Sequence, residues 1–165
     1  MKIFGIAGYK NVGKTTLIVE LIEEFRRRDL RVATIKHAHH AFDIDHPGKD
    51  SYLHRKAGAE EVIVASARRF AHVRELDPGT EPALDELLGR LGSVDLVLIE
   101  GYKHGEHPKL ELRRAGVPTS SLAADDPSVL AIVADVEIAG APVPVLERAK
   151  LRAIADFIEA GAERV

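Results

Sequence analysis

Gly8-Tyr9-Lys10-Asn11-Val12-Gly13-Lys14-Thr15 decides how the chain is read. The stretch fits G-x-x-x-x-G-K-S/T, the pattern of a loop that cradles phosphate groups. The string fixes few positions, so its surroundings carry the argument. Lys2 to Ala7 reads as a short apolar strand ahead of the loop. Behind it, from Thr16 to Arg28, Leu17, Ile18, Leu21, Ile22 and Phe25 fall on one face of a helix. Strand, glycine-rich turn and helix therefore follow in the order that phosphate binding requires.

Each residue type has a physical reason. Gly8 and Gly13 let the backbone turn tightly and present N–H groups to phosphate oxygens, and the helix N-terminus adds roughly half a positive charge. Asn11 and Val12 lie inside the loop and belong to the same cradle. Lys14 is placed to reach the β and γ phosphates, and Thr15 to put its hydroxyl on Mg²⁺, a hard cation that prefers oxygen ligands. Lys10 is as well explained as a solvated loop lysine.

The chain has 165 residues, 45% of them hydrophobic, which fits a single nucleotide-binding domain over residues 1–165 with a real core. Its net charge is −3, and Lys and Arg are scattered rather than gathered in a run, which argues against nucleic acid as the main partner. No cysteine is present, so disulfides and Cys-based zinc sites are excluded. No apolar run approaches the roughly 20 residues that span a bilayer, and the N-terminus reads as a strand rather than a signal peptide. No membrane role and a cytoplasmic location are expected.

Leu30 to Lys36 reads as a second strand, so residues 2 to 36 form a β-α-β unit and the sheet is at least partly parallel. The segment from His37 to Asp50 is polar, histidine-rich and contains Pro47-Gly48, so it is a loop, long enough to point to function. Asp50 or Ser51 can cap a short helix ending near Gly58. Val62 to Ala65 is expected as a buried strand, and Phe70 to Leu76 as its antiparallel partner across a turn at Ser66 to Arg69. Leu84, Leu87, Leu88 and Leu91 stripe a further helix.

Val94 to Ile99 is the most convincing central strand, and it runs into Glu100. Two carboxylates on it compete for the Mg²⁺-linked role. At about 3.3 Å per residue, Asp95 and Glu100 stand roughly 17 Å apart, and only the carboxyl end faces the phosphate loop. Glu100 is the candidate catalytic and metal-linked acid, and Asp95 marks the far edge. Lys109 to Arg113 alternates and is expected as a strand with its charged side in water. Val129 to Ala134 is an apolar run ending at Asp135, and a last helix covers Arg148 to Ala160.

The phosphate loop, the His37 to Asp50 loop, Glu100 to Lys103 and the Ser66 to Arg69 turn all follow strands and are expected at one sheet edge, a convergence that calls for a second ligand beside the nucleotide. Solvated loop histidines are the plain alternative for the second of these.

The string from Thr34-Ile35-Lys36-His37-Ala38-His39-His40 through Phe42-Asp43-Ile44-Asp45-His46-Pro47-Gly48-Lys49-Asp50-Ser51-Tyr52, then Arg55 and Ala57-Gly58-Ala59, resembles the family of molybdopterin-guanine dinucleotide biosynthesis protein B. Leu98 to Lys103 and Pro108-Lys109-Leu110-Glu111 resemble its later motifs, and the likeness is weakest after about residue 115. The resemblance implies an α/β fold of the P-loop NTPase kind, three-layered, with a mostly parallel sheet and an antiparallel hairpin or edge strands. It also implies a GTP-binding protein, often a homodimer, that assists the guanylyltransferase joining GMP to molybdopterin. Carried over, Gly8, Gly13, Lys14, Thr15 and Thr16 become the GTP and Mg²⁺ site, with Thr15 and Glu100 on the metal. His37, His39, Asp43, Asp45, His46, Pro47, Gly48, Lys49 and Asp50 match the signature loop, whose implied role is contact with nucleotide or the second ligand. Tyr102 stands where phenylalanine is usual.

The Asn-Lys-x-Asp string by which many GTPases read guanine is absent, so guanine specificity rests on the resemblance. An arginine finger and a water-positioning glutamine are also lacking, which implies slow hydrolysis at most. Arg68 or Arg69 is the candidate for supplying a finger across a dimer. Three other functions fit parts of the chain: a metallochaperone using His37, His39 and His40 for Ni²⁺ or Zn²⁺, a small-molecule kinase with Glu100 or Asp45 as base, and an adaptor whose nucleotide only stabilises a dimer.

Overall fold

The computed structural model describes residues 1–38, 42–117 and 120–165. The elements run β1 (Lys2–Ala7), α1 (Lys14–Arg27), β2 (Val32–Lys36), α2 (Asp50–Lys56), β3 (Glu61–Ala65), β4 (Phe70–Arg74) and α3 (Leu84–Gly89). They continue with β5 (Leu96–Glu100), β6 (Lys109–Leu112), β7 (Val129–Ala134), β8 (Val145–Glu147), α4 (Leu151–Gly161) and β9 (Glu163–Arg164). Two compact units result, one from Met1–His37 with Leu91–Val165, the other from Ala38–Arg90.

The first unit is built on a sheet ordered β2-β5-β1-β6-β7-β8, with β9 pairing antiparallel to the start of β1. Every other pairing is parallel. Strand β1 is central and almost wholly buried, so the loop that follows it opens at the middle of the sheet's carboxyl edge. One face of this sheet is apolar: Phe4, Ile6, Leu98, Leu110 and Val133 meet Leu17, Leu21 and Phe25 of α1 and Ile154 and Ile158 of α4. This period-2 and period-3.6 match is what the sequence pattern encodes.

The opposite face differs from expectation. Lys109 and Glu111 were expected in water, yet both are fully buried, because residues 105–107 and 121–128 fold over that side of β6. The Lys109 ammonium donates to the Gly105 carbonyl, to Asp126 at 2.9 Å and to the Ser128 hydroxyl. Glu111 accepts from Ser121 Oγ and the Ala123 N–H. Polar alternation along a strand marks two environments, and here the second is a polar interior rather than solvent.

In the second unit β3 and β4 form the expected antiparallel hairpin, closed by the Ser66 N–H donating to the Arg69 carbonyl. β3 is not buried, however: Ile63 and Val64 are exposed, as is Phe70. A two-stranded sheet has no second layer of its own, so its apolar side chains stay uncovered within the chain. Helix α2 takes Lys49 as its N-cap residue with no side-chain cap, so Asp50 sits in the first turn rather than capping it.

Candidate functional site

The loop from Gly8 to Lys14 has the backbone that a phosphate cradle needs. Gly8, Asn11 and Gly13 all adopt positive φ, at 143°, 66° and 96°. At Gly8 a side chain would also strike the Leu112 carbonyl, so only glycine fits there. Gly13 is the N-cap residue of α1, with no side-chain cap and no acid in the first turn. An uncapped 14-residue helix leaves its first N–H groups and its positive dipole end available to an anion.

Lys14 lies across this cradle, donating to the carbonyls of Gly8 at 2.9 Å and Tyr9 at 2.7 Å. Burial lowers its pKa from the ordinary lysine value, opposed by Glu100 and reinforced by Lys103 and Lys36. The cluster is thus cationic on balance around a half-buried ammonium, which favours a polyanion.

Glu100, the last residue of β5, registers against Ile6 of β1 on one side and Lys36 of β2 on the other. Its Oε1 accepts from Thr15 Oγ1 at 3.3 Å and lies 3.5 Å from Lys36 Nζ. A hydroxyl and a carboxylate oxygen that close suit a small oxygen-seeking divalent cation, so this pair fits Mg²⁺. Asp95 is at the other end, pinned by the Arg31 N–H and guanidinium at 2.8–3.2 Å.

Other side chains gather at the same edge. Lys103 sits 4.3 Å from the Tyr9 ring centroid, a cation–π contact, and the Tyr9 hydroxyl reaches Ser120 Oγ at 2.5 Å. The His37 and Tyr102 rings lie 4.8 Å apart at 38°. A side chain at Gly101 would meet His37 at 3.0 Å, so the two segments are closely fitted. The structure therefore brings together Gly8, Asn11, Val12, Gly13, Lys14, Thr15, Thr16, His37 and Glu100.

Asp43, Asp45, His46, Lys49 and Asp50 belong to the second unit. There Arg55, only 11% exposed in its side chain, pairs with Asp43 at 2.8 Å, Asp45 at 3.3 Å and Glu75 at 2.5 Å. Asp45 also accepts from Ser51, and the Arg55 guanidinium holds the Asp43 carboxyl below the usual range. These acids hold the loop's shape, while His46, Lys49 and Asp50 line its outer surface. His39 and His40 lie outside the described residues. Among the described residues no group of three or more His, Asp or Glu side chains is arranged to hold a metal ion.

Sequence reasoning passed over His107. It is 5% exposed, packed so closely on Gly5 that a side chain there would come within 2.6 Å of its Nε2. Neither ring nitrogen has a partner among the described residues, and burial, with Lys109 beside it, pushes its pKa down from 6.5 to about 4. Its flanking residues carry no periodic signal, so only the glycine at Gly5 hinted at a close neighbour.

Comparison with known proteins shows the family. The family model for molybdopterin guanine dinucleotide synthesis protein B matches residues 3–135. A molybdopterin-guanine dinucleotide biosynthesis adapter protein of Escherichia coli K12 is 39% identical over 94% of this chain and 90% of its own length. Its counterpart in Haemophilus influenzae is 38% identical over 95% and 87%. A crystal structure of molybdopterin-guanine biosynthesis protein B superposes with a TM-score of 0.73 at 28% identity, covering 96% of this chain and 98% of that one. The chain belongs to the molybdopterin guanine dinucleotide synthesis protein B family.

Proposed function

We propose that the protein is a GTP-binding adapter of molybdenum cofactor biosynthesis, assisting a guanylyltransferase that attaches GMP to molybdopterin. The observation that carries the reading is the open N-terminus of α1, with Lys14 over the cradle and Thr15 beside Glu100. Thr15 and Glu100 would hold Mg²⁺, which neutralises phosphate charge when bound. Lys14 holds the phosphates, and Glu100 fixes the Thr15 hydroxyl and, in hydrolysis, the position of a water.

Hydrolysis is slow at most. The chain contains no glutamine to orient water, Arg68 and Arg69 belong to an exposed hairpin turn, and the arginines beside the phosphate loop, Arg113, Arg114 and Arg148, line the flank away from Glu100. Lacking an arginine finger alone lowers a rate by about 10³ to 10⁵. The loop from Asp43 to Asp50 is assigned to contact with molybdopterin or the transferase. Exposed Ile63, Val64 and Phe70 on the β3–β4 hairpin favour a homodimer. Work in the cytoplasm is part of the same proposal; among the described residues no helix is long and apolar enough to cross a membrane.

The test is reconstitution. Wild-type protein is expected to stimulate formation of the guanine dinucleotide by purified transferase, and Lys14→Ala is expected not to. Equal stimulation by the variant would reduce the nucleotide site to a relic.

A further inference from the structure

The phosphate loop has two flanks, and the functional reading uses only one. On the β5–β2 side Glu100, Lys36 and Lys103 crowd the carboxyl edge with charge. On the β6–β7 side lies a cavity of about 270 Å³, walled by Val12, Gly13 and Thr16 from the loop and α1, and by Arg113, Arg114 and Asp135 from the strand ends. Leu112 and Arg148 complete it. Arg148 is fixed by an ion pair with Glu20 of α1 at 2.8 Å. Consecutive helical residues point about 100° apart, so Thr15 serves the Glu100 flank while Thr16 lines the cavity.

A nucleotide whose phosphates occupy the loop must send its base to one flank. The flank where the Thr15 hydroxyl meets the Glu100 carboxylate is suited to the metal and the terminal phosphates, which leaves the cavity for the base. Its lining there is mixed: aliphatic surface from Val12 and Leu112 for a flat ring, and guanidinium groups that stack on aromatic faces. Asp135 follows directly on β7, and its Oδ1 accepts the Ala115 N–H at 2.9 Å. That bond orients the carboxylate, and Oδ2 has no donor among the described residues.

The geometry points to Asp135 as the residue that reads the base, accepting from the N1–H and 2-amino group of guanine in this cavity. The assignment rests on the phosphate-site reading above. A carboxylate only accepts. Guanine offers two adjacent donors on that edge. Adenine offers the acceptor N1 and no 2-amino group, so it would face the carboxylate lone pairs. The cavity thereby supplies the discrimination that the missing Asn-Lys-x-Asp string leaves unassigned.

Calorimetric titrations of the full chain with the Mg²⁺ salts of GTP, ITP, XTP and ATP test this. Wild type should bind GTP at least tenfold more tightly than ITP, which lacks the 2-amino group, and more tightly still than ATP, since hydrogen bonds to charged groups are worth about tenfold or more each. Asp135→Asn keeps the acceptor for Ala115 and gains a donor, so it should weaken GTP and strengthen XTP, whose C2 carbonyl accepts. A reversal of the GTP to XTP preference would support the assignment. Equal binding of GTP, ITP and ATP by wild type, or unchanged GTP to XTP preference in Asp135→Asn, would overturn it. If Lys14→Ala then still loses all four nucleotides, the phosphate site stands and only the base assignment falls. Wild-type protein that binds none of them removes both.

Discussion

At one end of β5 Asp95 spends both carboxylate oxygens on Arg31, through contacts of 2.8 and 3.2 Å that also engage the Arg31 backbone. At the other end Glu100 holds its neighbours loosely, with Thr15 at 3.3 Å and Lys36 at 3.5 Å on a single oxygen. One strand thus carries two acids of opposite purpose. The paired one locks the entrance of β5 to β2, and its arginine holds the carboxyl below the usual range. The loosely held one is the acid proposed above to hold the cation that a nucleotide brings with it. Parallel pairing makes this division general in the sheet: amino ends are tied down, and carboxyl ends are left open for chemistry.

Replacing Glu100 should break the functional end. Glu100→Gln keeps the shape and loses the charge, and Mg²⁺-dependent GTP affinity should fall about 10- to 100-fold, while a titration without Mg²⁺ changes little. His107, set back from the carboxyl edge, sharpens the contrast because it is polar, buried and part of neither end. Its folded pKa of about 4 lies below the ordinary 6.5, so the unfolded chain takes up the proton first. Stability is fully present above pH 6.5 and is lost as pH falls toward 4. The loss from this one group is about 2 kcal/mol once screening by water is allowed for. Denaturant melts across that window should show a flatter dependence in His107→Gln. The smallest effect is expected at the tied end: Asp95→Asn should lower the melting temperature slightly and leave GTP affinity unchanged. A weakened affinity there would mean that the two ends are coupled.

What was legible follows from what a local pattern can encode. Strand, loop and helix from Lys2 to Arg27 were readable because the residue types at Gly8, Gly13, Lys14 and Thr15 are each forced by backbone geometry or by phosphate. Placing Glu100 rather than Asp95 beside the phosphate loop needed only the rise of a strand and the direction of the sheet. The burial of Lys109 and Glu111 was hidden, because alternation records two environments without saying that the polar one is closed by residues 105–107 and 121–128. The exposure of Ile63 and Val64 was hidden for the opposite reason: an apolar run in a strand pattern does not say whether a second layer packs on it. Asp135 was visible as a residue at the end of a run. Arg113 and Thr16, which line the same cavity, come from other parts of the chain, and only the folded sheet and α1 set them together.

The most direct test of the central claim is a calorimetric titration of GTP with Mg²⁺ into wild type and Lys14→Ala, beside thermal melts of both. Saturable binding to wild type and a loss of at least about 100-fold in the variant are expected, with little change in melting temperature. Matching affinities in two equally stable proteins would contradict that claim.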